Sequence, residues 1–177
     1  HGLDDPLTEK GWSQMWNAVG EFSAWQQIIT SPMQRCQAFA HALGERHAIP
    51  VTVESRFKEV GFGVWEGLSH DEVKIARAAE YQAFLQDPVN CRPQGAEPLE
   101  DFIHRVGSAY QEATERHRNS HFLIVSHAGV MRALIAQTIH APLIGLYRIK
   151  INNGGITRIR NSETGGVLEL LNGKLSA

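Results

Sequence analysis

The 177-residue sequence predicts an α/β fold: a three-layer sandwich with a mainly parallel central sheet covered by helices on both faces. Three observations point there. Short apolar runs alternate with stretches of helical period as far as Ile139, the order expected when helices cross between parallel strands. Phe122-Leu123-Ile124-Val125 is an unbroken apolar run between polar Ser120-His121 and Ser126-His127, which reads as a short strand buried on both faces. Residues 128–139 are apolar almost all round, with Arg132 the only charge, so the helix they predict packs inside the protein and not on its surface.

A chain of this length forms one domain with a real core. Hydrophobic residues at 42% and charged ones at 20% are those of an ordinary globular protein. A formal net charge of -2 supplies no general attraction to nucleic acid or to an anionic membrane, so neither partner is expected and any anion site must be built locally. Cys36 and Cys91 lack metal-ligand spacing; reduced, partly buried thiols and a cytoplasmic location are expected. No apolar run approaches the length of a membrane span.

In chain order, Thr8 is positioned to cap a helix carrying Trp12, Met15, Trp16 and Val19 on one face, with Leu7 and Trp12 as a hydrophobic staple. Those tryptophans are core residues. Ile28-Ile29-Thr30 reads as a strand running into Ser31-Pro32-Met33-Gln34-Arg35-Cys36, with Ser31 the N-cap and Pro32 the first helical residue. That helix buries Cys36, Phe39, Ala40 and Leu43 and is expected to stop near Gly44. Arg35 falls in its first turn, where the helix dipole disfavours a cation. A planar fork aimed at an oxyanion accounts for it, and a solvated surface arginine does so equally well.

Val51-Thr52-Val53 reads as an edge strand. Gly61, Gly63 and Gly67 nearly imitate a dinucleotide fingerprint, but with one residue too many and no helix directly behind; residues 56–67 are instead an ordered loop with aromatic anchors and the carboxylates Glu59 and Glu66. Ser69 with Glu72 makes a capping box, and Leu68 with Val73 a staple, so a helix starts there. Residues 87–95 are rich in turn formers. Leu99, Phe102, Ile103, Val106, Tyr110 and Ala113 mark one face of a long amphipathic helix. His117 and His121 are four apart but straddle its end with no third ligand near, so they face solvent and no metal is expected. The tail carries strand patterns at 147–151, 156–159 and 167–171, separated by Asn152-Asn153-Gly154-Gly155 and Glu163-Thr164-Gly165-Gly166.

The strand at 122–125 places His127 in the turn at its carboxyl end, beside the free N–H groups of the next helix. Open α/β sheets bind ligands at that edge, and a helix N-terminus favours an anion. His127 is therefore read as functional.

Taken together, the motifs resemble the histidine phosphatase superfamily, also called phosphoglycerate mutase-like. The match runs from about Leu3 to Arg160 through Asp5-Pro6-Leu7-Thr8-Glu9-Lys10-Gly11, Ser31-Pro32-Met33-Gln34-Arg35, residues 57–67, Gly95-Ala96-Glu97-Pro98-Leu99, Ser126-His127-Ala128-Gly129-Val130-Met131-Arg132 and Asn153-Gly154-Gly155-Ile156-Thr157-Arg158. Six pieces in order are specific where each alone is weak.

The resemblance implies hydrolysis of a phosphomonoester of a small metabolite through a phosphohistidine intermediate, without cofactor or metal. It implies that Arg35, His127 and the Ala128 amide hold phosphoryl oxygens and that Glu59 protonates the leaving oxygen, with Glu66 ranked second for that role. A carboxyl shielded by Phe62 and Trp65 would keep its proton near neutral pH. The family's first motif, a strand ending in Arg-His-Gly that carries both the nucleophile and a second phosphate-binding arginine, is not in this sequence. His1-Gly2 reads as part of a later loop, and the chain is expected to lack one central strand. Two further readings stand beside the phosphatase: an inactive member of the fold that binds phosphate or a protein partner, and a phosphoglycerate mutase-type phosphotransferase.

Overall fold

The computed structural model describes residues 3–175; His1 and Gly2, read above as loop, lie outside them. The Thr8 hydroxyl accepts the Gly11 N–H at 3.0 Å and starts α1, Glu9–Val19. Leu7, Trp12, Met15 and Trp16 pack on the core cluster that Val19 enters, as the stripe requires. β1, Gln27–Thr30, leads to α2, Gln34–His47, and then to β2, Val51–Val53.

Two expectations for α2 need correction. Ser31 is not its N-cap, nor Pro32 its first residue: Met33 caps the helix, which begins at Gln34, and the Ser31 hydroxyl is turned toward His127. Nor does the helix stop at Gly44. It continues to His47 and closes on Ala48 in the left-handed region, with Gly44 buried inside it. Packing, not termination, explains this glycine: a Cβ there would lie 2.5 Å from Val51 Cγ2 and 2.7 Å from Ile49 O.

After β2, the segment to residue 67 is loop with single 3-10 turns at Ser55–Phe57 and Gly63–Trp65. The Ser69–Glu72 capping box is formed and starts α3, His70–Ala76, although Leu68, its expected staple partner, stays exposed. The helix breaks at Arg77 and resumes as α4, Ala78–Gln86. α5, Leu99–Arg116, precedes β3, Phe122–Val125, and α6, Ala128–Thr138. The strand expected at 147–151 is absent. A 3-10 helix, Leu143–Arg148, takes its place because Tyr147 packs on Phe62 and Phe84 while Arg132 Nε donates to Ile149 O. β4, Ile156–Ser162, and β5, Gly165–Gly173, form the expected hairpin.

β1 lies between β2 and β3, all parallel, with Thr30 opposite Val53 and Val125. Successive β1 side chains show the three layers. Ile28 enters a cluster with Val19, Phe39 and Leu43 of α1 and α2, whereas Ile29 enters one with Phe102, Val106 and Val130 of α5 and α6. Burial of each large side chain contributes on the order of 1.5–3 kcal/mol. Both cysteines are free, Cys36 buried and Cys91 exposed. No group of His, Cys, Asp and Glu suited to a metal occurs among the described residues. No described helix is long and apolar enough to cross a membrane.

β3 departs from the expected burial on both faces: of its residues only Val125 is fully buried. Beside it runs a cleft of about 1630 Å³, with Leu123 and Ile124 on one wall, Ile156 and Ile159 of β4 on the other, and Val130 and Leu134 of α6 also lining it. Among the described residues the outer edge of β3 has no strand partner.

Gly44→Ala tests the packing account of α2. Helix propensity alone would raise stability by roughly 1 kcal/mol; overpacking against Val51 and Ile49 should instead lower it by about 1–3 kcal/mol, read from the midpoint of urea unfolding. An unchanged or raised midpoint would contradict the account.

Candidate active site

Thr30 and Val125 stand opposite each other at the ends of β1 and β3, so the chain leaves both strands at one level. Ser31 follows the first and His127 comes two residues after the second; both are buried. Arg35 and His127 meet there. Arg35 Nη2 donates to His127 Nδ1 at 3.0 Å.

A guanidinium has only donors, so Nδ1 must be the accepting, unprotonated nitrogen. The proton of the neutral ring then lies on Nε2, which donates to Ser31 Oγ at 2.6 Å; that oxygen also accepts the Met33 N–H at 3.2 Å. Burial and the Arg35 cation push the His127 pKa down to about 3, in accord with a neutral ring. Cys36 Sγ lies 3.8–3.9 Å from the two ring nitrogens. Burial pushes its thiol up to about 12, so it acts as a small apolar neighbour.

His127 is also the N-cap residue of α6, with extended backbone and no side-chain cap bond. The Ala128 N–H, at the first helical position, has no acceptor within the helix. The next one, Gly129 N–H, donates to Glu59 Oε2 at 3.2 Å, and Glu59 Oε1 accepts the Val60 N–H at 2.9 Å. Burial raises the Glu59 pKa against the pull of these two N–H groups and of Arg132 and Arg35. The carboxyl is thus shielded by α6 and Val60, whereas Trp65, the shield expected beside Phe62, packs with Tyr81 and Phe84. Gly129 has a steric reason: a Cβ on it would run into Glu59 Oε1. Glu66, the rival acid, accepts the Phe62 N–H at 3.1 Å and so helps to shape its loop.

The Glu59 loop is held from behind by Arg105 of α5. Its Nη1 donates to the carbonyls of Arg56 at 2.6 Å and Lys58 at 2.9 Å, and its Nη2 to that of Glu59 at 3.3 Å. The same guanidinium grips both carboxylate oxygens of Glu97, at 2.7 and 2.9 Å, and Glu97 accepts the Gly61 N–H. Sequence reasoning quoted Glu97 only as part of a motif and missed Arg105. It also missed Asp4, whose carboxylate accepts the Gln34 N–H at 2.7 Å and closes the start of α2. His117 and His121, set aside as ligands, have no such surroundings: the His117 ring packs on Phe122 and His121 is exposed. Arg35, Glu59, His127 and Ala128 thus come from three separate turns to one place. The arrangement offers a cation, oriented N–H donors and a carboxyl whose pKa burial raises, the set required to bind a tetrahedral oxyanion and protonate a neighbouring oxygen.

Known proteins resemble this chain over most of its length. Phosphoserine phosphatase 1 of Hydrogenobacter thermophilus is 27% identical over 172 residues, covering 96% of this chain and 82% of that protein. The adenosylcobalamin/alpha-ribazole phosphatase of Salmonella typhimurium is 27% identical over 171 residues, 96% of this chain and 85% of its own. Among solved structures, YhfR of Bacillus stearothermophilus superimposes with a TM-score of 0.84 at 29% identity, covering 98% of this chain and 87% of that one. The sequence model of the histidine phosphatase superfamily (branch 1) matches residues 1–174. The chain therefore belongs to the histidine phosphatase superfamily, branch 1, and is an enzyme of the histidine-phosphatase type.

Proposed function

We propose that the protein hydrolyses the phosphomonoester of a small metabolite through a phosphohistidine, and that residues 1–177 form a single domain supplying the site except for the nucleophile and the second arginine of the Arg-His-Gly motif. The contact between Arg35 and His127 at the start of α6 carries this reading. Two relatives named as phosphatases, of phosphoserine and of alpha-ribazole phosphate, support the substrate class. Phosphoryl transfer needs little from the protein beyond positioning and charge. Arg35, His127 and the Ala128 N–H hold the equatorial oxygens. The attacking histidine forms the P–N bond as the ester P–O bond breaks, and the leaving oxygen takes the proton of Glu59. Glu59, now a carboxylate, then removes a proton from the water that splits the P–N bond and releases inorganic phosphate.

The nucleophile belongs, in this reading, on a strand that occupies the cleft between β3 and β4. What supports the placement is the edge of β3, unpartnered among the described residues, the apolar residues that line the cleft, and Ser126, the residue before His127, in that lining. A strand there would pair with β3 and bury the half-exposed Leu123 and Ile124, as a parallel sheet requires.

Two measurements test the proposal. The 177-residue chain should bind phosphate but not turn over p-nitrophenyl phosphate, whereas a form extended by a strand ending in a histidine should turn it over and lose activity in His127→Ala. Turnover by the 177-residue chain alone would contradict the placement of the nucleophile. The second concerns the proton. His127 is neutral while Arg35 occupies Nδ1; an anion that draws Arg35 away and adds negative charge raises the ring's pKa, so binding should take up a proton. Sulfate, which does not titrate near pH 6, isolates that event. Calorimetry at pH 6 in two buffers of different ionisation enthalpy should show uptake that disappears in His127→Gln. Buffer-independent heat would contradict it.

A further inference from the structure

Arg46, Arg116, Arg118 and Arg148 are exposed, and the other arginines of the described residues divide into two sets. Arg56, Arg77, Arg105, Arg158 and Arg160 are each paired with a carboxylate. Arg35, Arg92 and Arg132 are half-buried and have no carboxylate within ion-pair distance among those residues; Arg35 and Arg132 both act electrostatically on Glu59, and Arg92 and Arg132 both meet Tyr147. Arg35 has its role above, and Arg132 holds Ile149 O through its Nε. Arg92 has none.

From this arrangement we infer that Arg92 and Tyr147, with Arg132 beside them, form a subsite for a second anionic group on the substrate, a carboxylate. The inference rests on Arg35 and His127 being the phosphate site and adds the class of ester that fits it. The turn-rich loop of residues 87–95 brings Arg92 inward. There its guanidinium lies 5.3 Å from the centre of the Phe62 ring. Its hydrogen bonds are all long: 3.3 Å to the Tyr147 hydroxyl, 3.3 Å to Gly61 O and 3.5 Å to Pro88 O, against about 2.7–2.9 Å for a charge-assisted bond. Its Nε is buried with no acceptor at all. A buried N–H left unpaired is costly, and here the costly group is a cation held on a rigid aromatic wall.

Tyr147 links Arg92 to the phosphate site. Its hydroxyl meets Arg92, and its ring centre lies 5.7 Å from the Arg132 guanidinium. Arg132 follows Ala128 by four residues, so the two share a face of α6 one turn apart, about 5.4 Å. Glu59, Arg92 and Arg132 all lie within electrostatic reach of the Tyr147 hydroxyl. An ester seated on Arg35 and His127 with its leaving oxygen at Glu59 therefore extends its organic part toward Tyr147 and Arg92. A planar carboxylate matches the guanidinium fork and adds the tyrosine hydroxyl as a further donor.

Calorimetry with two probes distinguishes the possibilities. 2-Phosphoglycolate and ethyl phosphate are both monoesters of a two-carbon chain; only the first carries a carboxylate. The wild-type protein should bind 2-phosphoglycolate at least roughly tenfold tighter than ethyl phosphate. Arg92→Gln should bring that ratio close to one. Tyr147→Phe, which keeps the packed ring, should reduce it by several-fold and guards against misfolding of the arginine variant. Equal binding of the two probes by wild type, or a ratio that survives both substitutions, overturns the subsite while leaving the phosphate site standing. Failure of both probes to bind wild type overturns the phosphate site, and the subsite with it.

Discussion

The register of β1 with β3 is the constraint on which the rest depends. Parallel strands end at the same side of the sheet, and pairing Thr30 with Val125 releases both chains at one height. That height is what allows a guanidinium from the first turn of α2 to reach an imidazole at the cap of α6. A slip of one residue would turn Ile28 and Ile29 to the wrong layers, so the two cores that fix the register also fix the site. Ser31 completes the arrangement: its buried hydroxyl receives both the imidazole and a backbone N–H, which sets the orientation of the ring.

Glu59 reaches the site by a different route. It comes from a loop, and a loop residue keeps its position only if its backbone is tied down. Arg105 does this through carbonyls at three of the four positions from 56 to 59. The pair it makes with Glu97 is about a quarter exposed, so as an ion pair it contributes little, up to about 1 kcal/mol. Its importance lies in fixing the direction of the chain. The front of the carboxyl is set by Gly129, whose missing side chain leaves room for it against the start of α6.

The sequence made some of this legible. Helical periodicity marked α1 and α5, because a buried face leaves a regular trace, and unbroken apolar stretches marked β3 and α6. The turn after β3 stood out because His127 follows an apolar run at the edge where α/β sheets bind ligands, and Arg35 because its charge opposes the helix dipole. Other features left no local trace. Gly44 looks like a helix stop and is a packing contact with residues five and seven positions on. Ser31 has the chemistry of a cap and spends it on a residue 96 positions away. Residues 147–151 have a strand's composition, yet Tyr147 is drawn under Phe62 and Phe84 by contacts that only the folded chain creates. Arg105 lies on an amphipathic helix where an arginine reads as solvated, and the carbonyls it binds are invisible in side-chain pattern.

The account stands on three turns meeting to enclose one phosphoryl group. A crystal structure of the protein with orthovanadate tests this most directly. The account predicts vanadium-bound oxygens within hydrogen-bond distance of the Arg35 guanidinium, the His127 ring and the Ala128 N–H, with Arg35 withdrawn from Nδ1 and the Glu59 carboxyl facing the anion. Vanadate bound elsewhere, with Arg35 still on the imidazole, would contradict it.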